Sequence, residues 1–108
     1  MAYKPLLNDT PINLVKRYSQ VLRENQVDYQ DMFLFGSYAK GTAKAWSDVD
    51  VCVVSKDFGK DAFGEMVMLK KLTRKVDTMI EPVAFHPDDL KDPYDPLAAE
   101  VRNFGIRV

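Results

Sequence analysis

The alternation of apolar and polar residues predicts helices and strands that follow one another along the whole chain. Apolar residues recur every three or four positions after Thr10 and Pro11, a pair typical of a helix start. Short β-branched or aromatic runs predict strands, of which 48–54 is the clearest. The expected elements are a helix at 11–25, a strand at 32–35, a short helix from Tyr38, a strand at 48–54, a helix at 60–76, a strand at 79–85, a helix at 95–103 and a strand at 106–108. This order predicts an α/β or α+β fold, in which helices pack on a small sheet.

The helix expected at 60–76 carries an apolar stripe and a basic end. The apolar residues at helical intervals, expected on the core, are Phe63, Met66, Leu69, Leu72 and Val76. The cations in its last turns are Lys70, Lys71, Arg74 and Lys75. Because cations suit a helix C-terminus, we interpret them as a solvated basic face rather than a nucleic-acid patch.

Composition narrows the class of protein. The chain has 108 residues, enough for one core, and its 46% hydrophobic and 29% charged residues are ordinary for a globular domain. Fifteen basic and sixteen acidic residues nearly cancel, so no general attraction to nucleic acid or to anionic membranes is expected. Residues 1–5 lack the long apolar region of a signal peptide, and no apolar run is long enough to span a membrane. A cytoplasmic location is therefore expected.

The single cysteine and the single histidine exclude several kinds of site. With only Cys52, the chain has no internal disulfide and no cysteine-rich zinc site, and we expect a buried, inert thiol. With only His86, a multi-histidine metal site is excluded and a Ser-His-Asp enzyme is disfavoured. Since His86 precedes Pro87 just after a predicted strand, a turn role is expected.

Two carboxylates stand at the start of the clearest strand. Side chains alternate along a strand, so Asp48 and Asp50 point to one face while the valines between and after them point to the other. Two like charges side by side are costly unless a positive charge lies between them. Mg²⁺ prefers oxygen ligands and is typically held by one or two carboxylates together with substrate phosphates. The pair therefore predicts a divalent-cation site.

A Gly-Ser step follows the preceding strand. Gly36 lets the backbone turn and approach a ligand closely, and the N–H groups beyond it are suited to cup a phosphate. Ser37 adds a hydroxyl, and a short helix from Tyr38 would direct its N-terminus at the same anion. The Gly-Ser step alone and the aspartate pair alone are each a weak signal of function. Together, a phosphate cradle and a paired-carboxylate site on adjacent strands are the parts that nucleotide chemistry needs.

These residues resemble a known family. Gly36-Ser37, ten intervening residues and then Asp48-Val49-Asp50 match the signature of the DNA polymerase β-like nucleotidyltransferases, and residues 36–50 as a whole resemble the minimal nucleotidyltransferases of bacteria and archaea. Lys40 is a departure, because the family often has arginine there, and lysine lacks the bidentate fork. The resemblance implies a polymerase β-like fold with a small mixed sheet, and a single domain over residues 1–108. It also implies transfer of a nucleoside monophosphate, AMP from ATP, to an acceptor hydroxyl with two Mg²⁺ ions.

The resemblance assigns roles to particular residues. Gly36, Ser37 and Lys40 would bind the nucleotide, and Asp48 and Asp50 would bind the metal pair. The family needs a third carboxylate on a later strand. Glu81 is favoured, because it lies within an apolar run where an ionised side chain is expensive unless it is paired or metal-bound. Asp77 remains the rival, and Pro82 marks the strand as an edge or a bulge.

Partners follow from the same resemblance. Such proteins are commonly antitoxins paired with a helical HEPN-type toxin, and a tyrosine of the toxin can be the acceptor. A weakly catalytic binding subunit that acts by complexing its partner is the alternative. A chain of 108 residues leaves little room for an acceptor-binding domain, so a HEPN-type partner or a second copy is expected. Phe63, Met66 and Met68 are candidates for its docking surface, although core packing is expected for most of them. Trp46 is expected to pack internally, with base stacking as the alternative.

Overall fold

The computed structural model describes residues 7–108. The prediction that residues 1–5 form no signal peptide concerns a segment outside this range. The helices are α1 (Pro11–Glu24), α2 (Ser37–Lys40), α3 (Ala62–Leu72), α4 (Pro87–Leu90) and α5 (Pro96–Phe104), and a 3₁₀ turn at Thr73–Lys75 extends α3. The strands are β1 (Asp31–Phe35), β2 (Val49–Val54), β3 (Ile80–Phe85) and β4 (Ile106–Arg107). None of the helices within residues 7–108 has the length and apolarity needed to cross a membrane.

The four strands form one mixed sheet in the order β3-β2-β1-β4. β1 is antiparallel to both β2 and β4, whereas β2 and β3 are parallel. β3 is an edge strand, which explains Pro82, because a residue without an N–H is tolerated where the ladder ends. The predicted fold class, a small mixed sheet covered by helices, is confirmed.

Helices cover both faces of the sheet. The larger core lies under α1 and α3, where Leu14, Tyr18 and Leu69 pack on the odd-numbered valines of β2. The smaller core lies under α4 and α5, where Ala98 and Val101 pack on Cys52 and its neighbours. The alternation predicted for β2 is therefore confirmed, and it leaves Asp50 on the same face as α5.

Two local predictions were wrong or incomplete. The apolar stripe predicted for 60–76 packs on the core only in its second half: Leu69 and Val76 are buried and Leu72 packs against them, but Phe63 and Met66 are 74% and 51% exposed. Helical spacing identifies residues that share a face, but it does not show how far along the helix that face is covered. The segment after β3 was expected only to turn. It forms α4, whose N-cap is His86: its Nδ1 accepts a hydrogen bond from the Asp88 N–H at 3.1 Å.

Candidate active site

The turn between β1 and α2 brings backbone N–H groups toward the start of β2. Gly36 has φ 73° and ψ −153°, a conformation that is essentially confined to glycine. Its carbonyl accepts hydrogen bonds from the N–H groups of Ala39 and Lys40, both at 3.1 Å. A helix start leaves its first N–H groups without backbone partners, so those of Ser37 and Tyr38 are available to an anion.

Gly36 is also required by the space around it. A Cβ at this position would lie 2.1 Å from Oδ2 of Asp50, so any other residue would displace that carboxylate. The register explains this approach, because Phe35 pairs with Asp50 and the next residue lies directly beside the aspartate. The predicted phosphate turn and the predicted metal-binding pair are thus in contact, although they are twelve or more residues apart in the chain.

We expect Gly36→Ala to impair the site more than the positive φ alone explains. The added methyl group meets Asp50, and the backbone is forced into a disfavoured conformation at the same time. The variant should lose the stabilisation that ATP and Mg²⁺ give the wild type in a thermal-shift assay. Gly41→Ala is the control: Gly41 has φ 76°, but a Cβ there would meet nothing within 4 Å. Equal loss in both variants would mean that the contact with Asp50 is unimportant.

The two aspartates differ in environment. Asp48 lies just before β2 and is exposed, whereas Asp50 is half-buried within the strand. Burial is the largest cause that raises the pKa of Asp50 to about 6. The charges of Asp48, Glu100 and Glu81, in that order, are the smaller contributions to the same rise. The ionised form of a carboxylate whose pKa is raised in this way is stabilised by any cation that binds beside it.

The raised pKa of Asp50 predicts that Asp50→Asn stabilises the metal-free protein. Below pH 4 the Asp50 carboxyl is protonated in both the folded and the unfolded chain. The stability that the protonated carboxyl gives the folded state is lost as the pH rises through its folded-state pKa of about 6. Partial exposure screens the effect, so Asp50→Asn should raise the stability at pH 7.5 by about 1 kcal/mol, or Tm by roughly 4 °C. Thermal melts at pH 4 and 7.5 measure this. The exposed Asp57→Asn should change Tm little at either pH, and a pH-independent gain for Asp50→Asn would contradict the account.

Lys40 is held by α5. Its Nζ lies 2.5 Å from Oε1 of Glu100 and 5.6 Å from the centre of the Phe104 ring. Lys40, the predicted phosphate-binding residue, therefore lies beside the site, but in this structure its positive charge is paired with the carboxylate of Glu100. Sequence reasoning missed Glu100 and Phe104. No local pattern marks either residue, because the contact with Lys40 depends on how α5 packs across the sheet.

The two candidates for a third carboxylate have different surroundings. Glu81 pairs in register with Asp50, but it is exposed and its Oε2 lies 3.0 Å from Nζ of Lys70. Lys70 also donates to the carbonyl oxygens of Thr78 and Ile80, so it is not part of the solvated face predicted for the end of α3. Asp77 is buried, and its carboxylate accepts hydrogen bonds from the Met79 and Asn8 N–H groups at 2.8 and 3.1 Å. Asp77 therefore serves as a structural connector, which leaves Glu81 as the better candidate.

Two further side chains near the site were predicted from the sequence. Trp46 is 69% exposed, so the expectation that it packs internally was wrong. An exposed indole between the Gly-Ser turn and the aspartates offers a flat apolar surface close to the site. Cys52 is buried as expected, and burial, followed by the charge of Asp89, raises the pKa of its thiol to about 12.

The donor set fits a hard divalent cation bound with a phosphate ligand. Neither Asp48 nor Asp50 takes part in an ion pair with any residue in the described range 7–108. Within that range, no three His, Cys, Asp or Glu side chains are grouped so that they could hold a metal ion. The protein thus offers two carboxylates, and Mg²⁺ commonly takes its remaining ligands from phosphates and water.

The chain is similar to several known proteins. The profile of the family described as "Nucleotidyltransferase domain" matches residues 15–99. A curated protein of Methanocaldococcus jannaschii, named "Putative protein adenylyltransferase", is 34% identical over 67 residues. That match covers 58% of this chain. The chain spans about half (46%) of the relative's length.

Solved structures show the same fold. A Sulfolobus solfataricus protein named "putative nucleotidyltransferase" superposes with a TM-score of 0.67 at 16% identity, over 99% of this chain and 89% of that one. A structure named as a toxin–antitoxin with AMP-PNP superposes with a TM-score of 0.62 at 27% identity, over 88% and 69% of the two chains. A mutant of the toxin–antitoxin MntA-HpeT gives 0.63 at 26% identity, over 87% and 70%. Since the family profile covers most of the chain, from residue 15 to residue 99, the protein belongs to the nucleotidyltransferase domain family.

Proposed function

We propose that this protein transfers AMP from ATP to a hydroxyl group of a partner polypeptide, with Mg²⁺ at Asp48 and Asp50. The observation that carries the proposal is the contact between the Gly36 turn and the Asp50 carboxylate. It brings N–H donors suited to phosphate next to carboxylates suited to a metal ion, which is the combination that nucleotidyl transfer uses.

The choice of ATP rests on the relatives. One curated relative is named an adenylyltransferase, and one structural neighbour is described with AMP-PNP, an ATP analogue. The exposed Trp46 supports a nucleotide as the ligand, since its ring is available to stack on a base. It does not select adenine over guanine.

Each residue of the site has a defined role in the proposed reaction. The N–H groups after Gly36 and the hydroxyl of Ser37 bind the β- and γ-phosphates, and Lys40 adds a positive charge beside them. The acceptor oxygen attacks the α-phosphorus, the bond from that phosphorus to the β-phosphate oxygen breaks, and pyrophosphate leaves. Asp48 and Asp50 would hold two Mg²⁺ ions, which would neutralise the charge that develops on the triphosphate.

Glu81 is proposed to accept the proton of the acceptor hydroxyl and to complete the metal site. Its register pairing with Asp50 supports this role, because paired residues on neighbouring strands have side chains on the same face of the sheet. Its carboxylate is bonded to Lys70 in this structure, so that ion pair must open before Glu81 joins the aspartates. The pair involves exposed side chains, and such ion pairs contribute only about 0–1 kcal/mol, so opening it is inexpensive.

The proposed partner is a HEPN-type toxin that presents a tyrosine as the acceptor. The resemblance to minimal nucleotidyltransferases motivates this choice, and two structural neighbours are named as toxin–antitoxin proteins. A cytoplasmic location is proposed with it. The alternative is an antitoxin that acts by binding alone. The exposed side chains of Phe63 and Met66 on α3 favour this alternative, because they are available to contact a partner.

Thermal shift with and without Mg²⁺ tests the nucleotide part of the proposal. ATP and Mg²⁺ together should raise Tm by roughly 10 °C at about one hundred times Kd, and either one alone should have little effect. GTP with Mg²⁺ measures the base preference, and Trp46→Ala should reduce the ATP effect if the indole stacks on the base. A protein whose Tm is insensitive to every Mg²⁺–nucleotide pair would not be the proposed enzyme.

A further inference from the structure

A groove runs between α3 and the outer edge of β3, away from the Gly36 turn. It encloses about 680 Å³, and its lining includes Met66, Val67, Lys71 and Arg74 together with the Lys70–Glu81 pair. The groove begins beside Glu81 and continues along α3.

The groove has an excess of positive charge. Three cations and one carboxylate line it, and the carboxylate of Glu81 is already neutralised by Lys70 at 3.0 Å. Lys71 and Arg74 are exposed, and neither belongs to an ion pair among residues 7–108. Two uncompensated cations within one concave surface attract an acidic ligand, whereas the whole chain has a net charge of −1.

Apolar side chains favour a polypeptide over a nucleic acid. Met66 and Val67 are 51% and 47% exposed in the groove, and methionine adapts to apolar side chains of different shape. A phosphate backbone would gain little from these two residues, and none of the described residues that line the groove has an aromatic ring for base stacking.

Beside the groove, the edge of β3 is poorly suited to strand addition. Lys70 donates to the Thr78 and Ile80 carbonyl oxygens, and Pro82 has no N–H to offer. Recognition in this groove therefore relies on side chains more than on a backbone ladder. We propose that the α3–β3 groove binds an acidic segment of a partner polypeptide, through Lys71 and Arg74 and through the apolar surface of Met66 and Val67.

Fluorescence anisotropy tests the proposal without nucleotide, so the result does not depend on the proposed function. The probes are labelled poly(Glu,Tyr), poly(Lys,Tyr) and a single-stranded oligothymidine. Poly(Glu,Tyr) should bind the wild type, and Lys71→Glu with Arg74→Glu should weaken that binding roughly tenfold. Lys16→Glu with Arg17→Glu, an equal charge change on exposed positions of α1, should leave it within about twofold.

A second variant tests the apolar part. Met66→Ser with Val67→Ser should weaken poly(Glu,Tyr) binding roughly threefold and leave oligothymidine binding unchanged. Circular dichroism checks that each variant folds, which the exposure of all four groove positions favours. Equal losses in the α1 and groove charge variants would overturn the proposal. So would oligothymidine binding that is tighter than poly(Glu,Tyr) binding, because the groove would then recognise a polynucleotide.

Discussion

Asp48→Asn and Asp50→Asn should each abolish the Mg²⁺-dependent stabilisation by ATP and lower AMP transfer at least about 100-fold. An amide keeps the shape of the carboxylate and removes the charge that would hold the ion. Neither change should harm the fold, because Asp48 is exposed and Asp50→Asn removes a charge that is disfavoured by burial and by the neighbouring carboxylates, the causes that raise the pKa of Asp50. Thermal shift and a transfer assay with labelled ATP give the two readouts.

Asp50→Asn should therefore separate stability from function. It is expected to raise Tm in the absence of metal and to remove the response to ATP and Mg²⁺, which is the pattern of a site that is strained without its ligand. Asp57→Asn, at an exposed position after β2, should leave both quantities unchanged. Aspartate variants that respond to ATP and Mg²⁺ as the wild type does would place the metal site elsewhere.

Glu81→Gln should lower kcat of AMP transfer by about 100-fold while changing the KM for ATP less than about threefold. The proposed role of Glu81 is at the acceptor hydroxyl, where the interaction matters mainly in the transition state. Asp77→Asn should keep kcat, but it should lower the free energy of unfolding by roughly 1–2 kcal/mol, because Asp77 binds two backbone N–H groups. Steady-state kinetics and thermal melts on both variants separate the two effects.

Lys70→Gln is the matched control for Glu81. It breaks the same ion pair but leaves the carboxylate in place, so kcat should stay near the wild-type value. An equal fall of kcat in both variants would mean that the ion pair, rather than the Glu81 carboxylate, supports the reaction. A loss of kcat in Asp77→Asn alone would move the third carboxylate to Asp77.

The central part of the site was predictable because its geometry is local. Strand alternation placed Asp50 opposite the buried valines, and the Gly36 turn followed from a glycine at the end of an apolar run. Pairing of β1 with β2 then joined the two features, as expected for adjacent strands.

The remainder depends on tertiary packing. Glu100 reaches Lys40 across sixty residues, and Lys70 reaches Glu81 because the end of α3 lies against the β3 edge. No spacing rule marks these contacts. The burial of Phe63 and Met66 in the first half of α3 was also mispredicted, because they have the same helical spacing as Leu69, which does pack inside. These differences lie at the rim of the site, where side chains from separate elements meet.

The most direct test is to compare ATP labelled at the α-phosphate with ATP labelled at the γ-phosphate. The protein is incubated with each nucleotide, Mg²⁺ and an extract that contains the product of a neighbouring gene, and labelled polypeptides are separated on a gel. We predict label from the α-phosphate only, release of pyrophosphate, and loss of labelling with EDTA or with Asp50→Asn. Label from the γ-phosphate, or no labelled polypeptide with either nucleotide, would contradict AMP transfer.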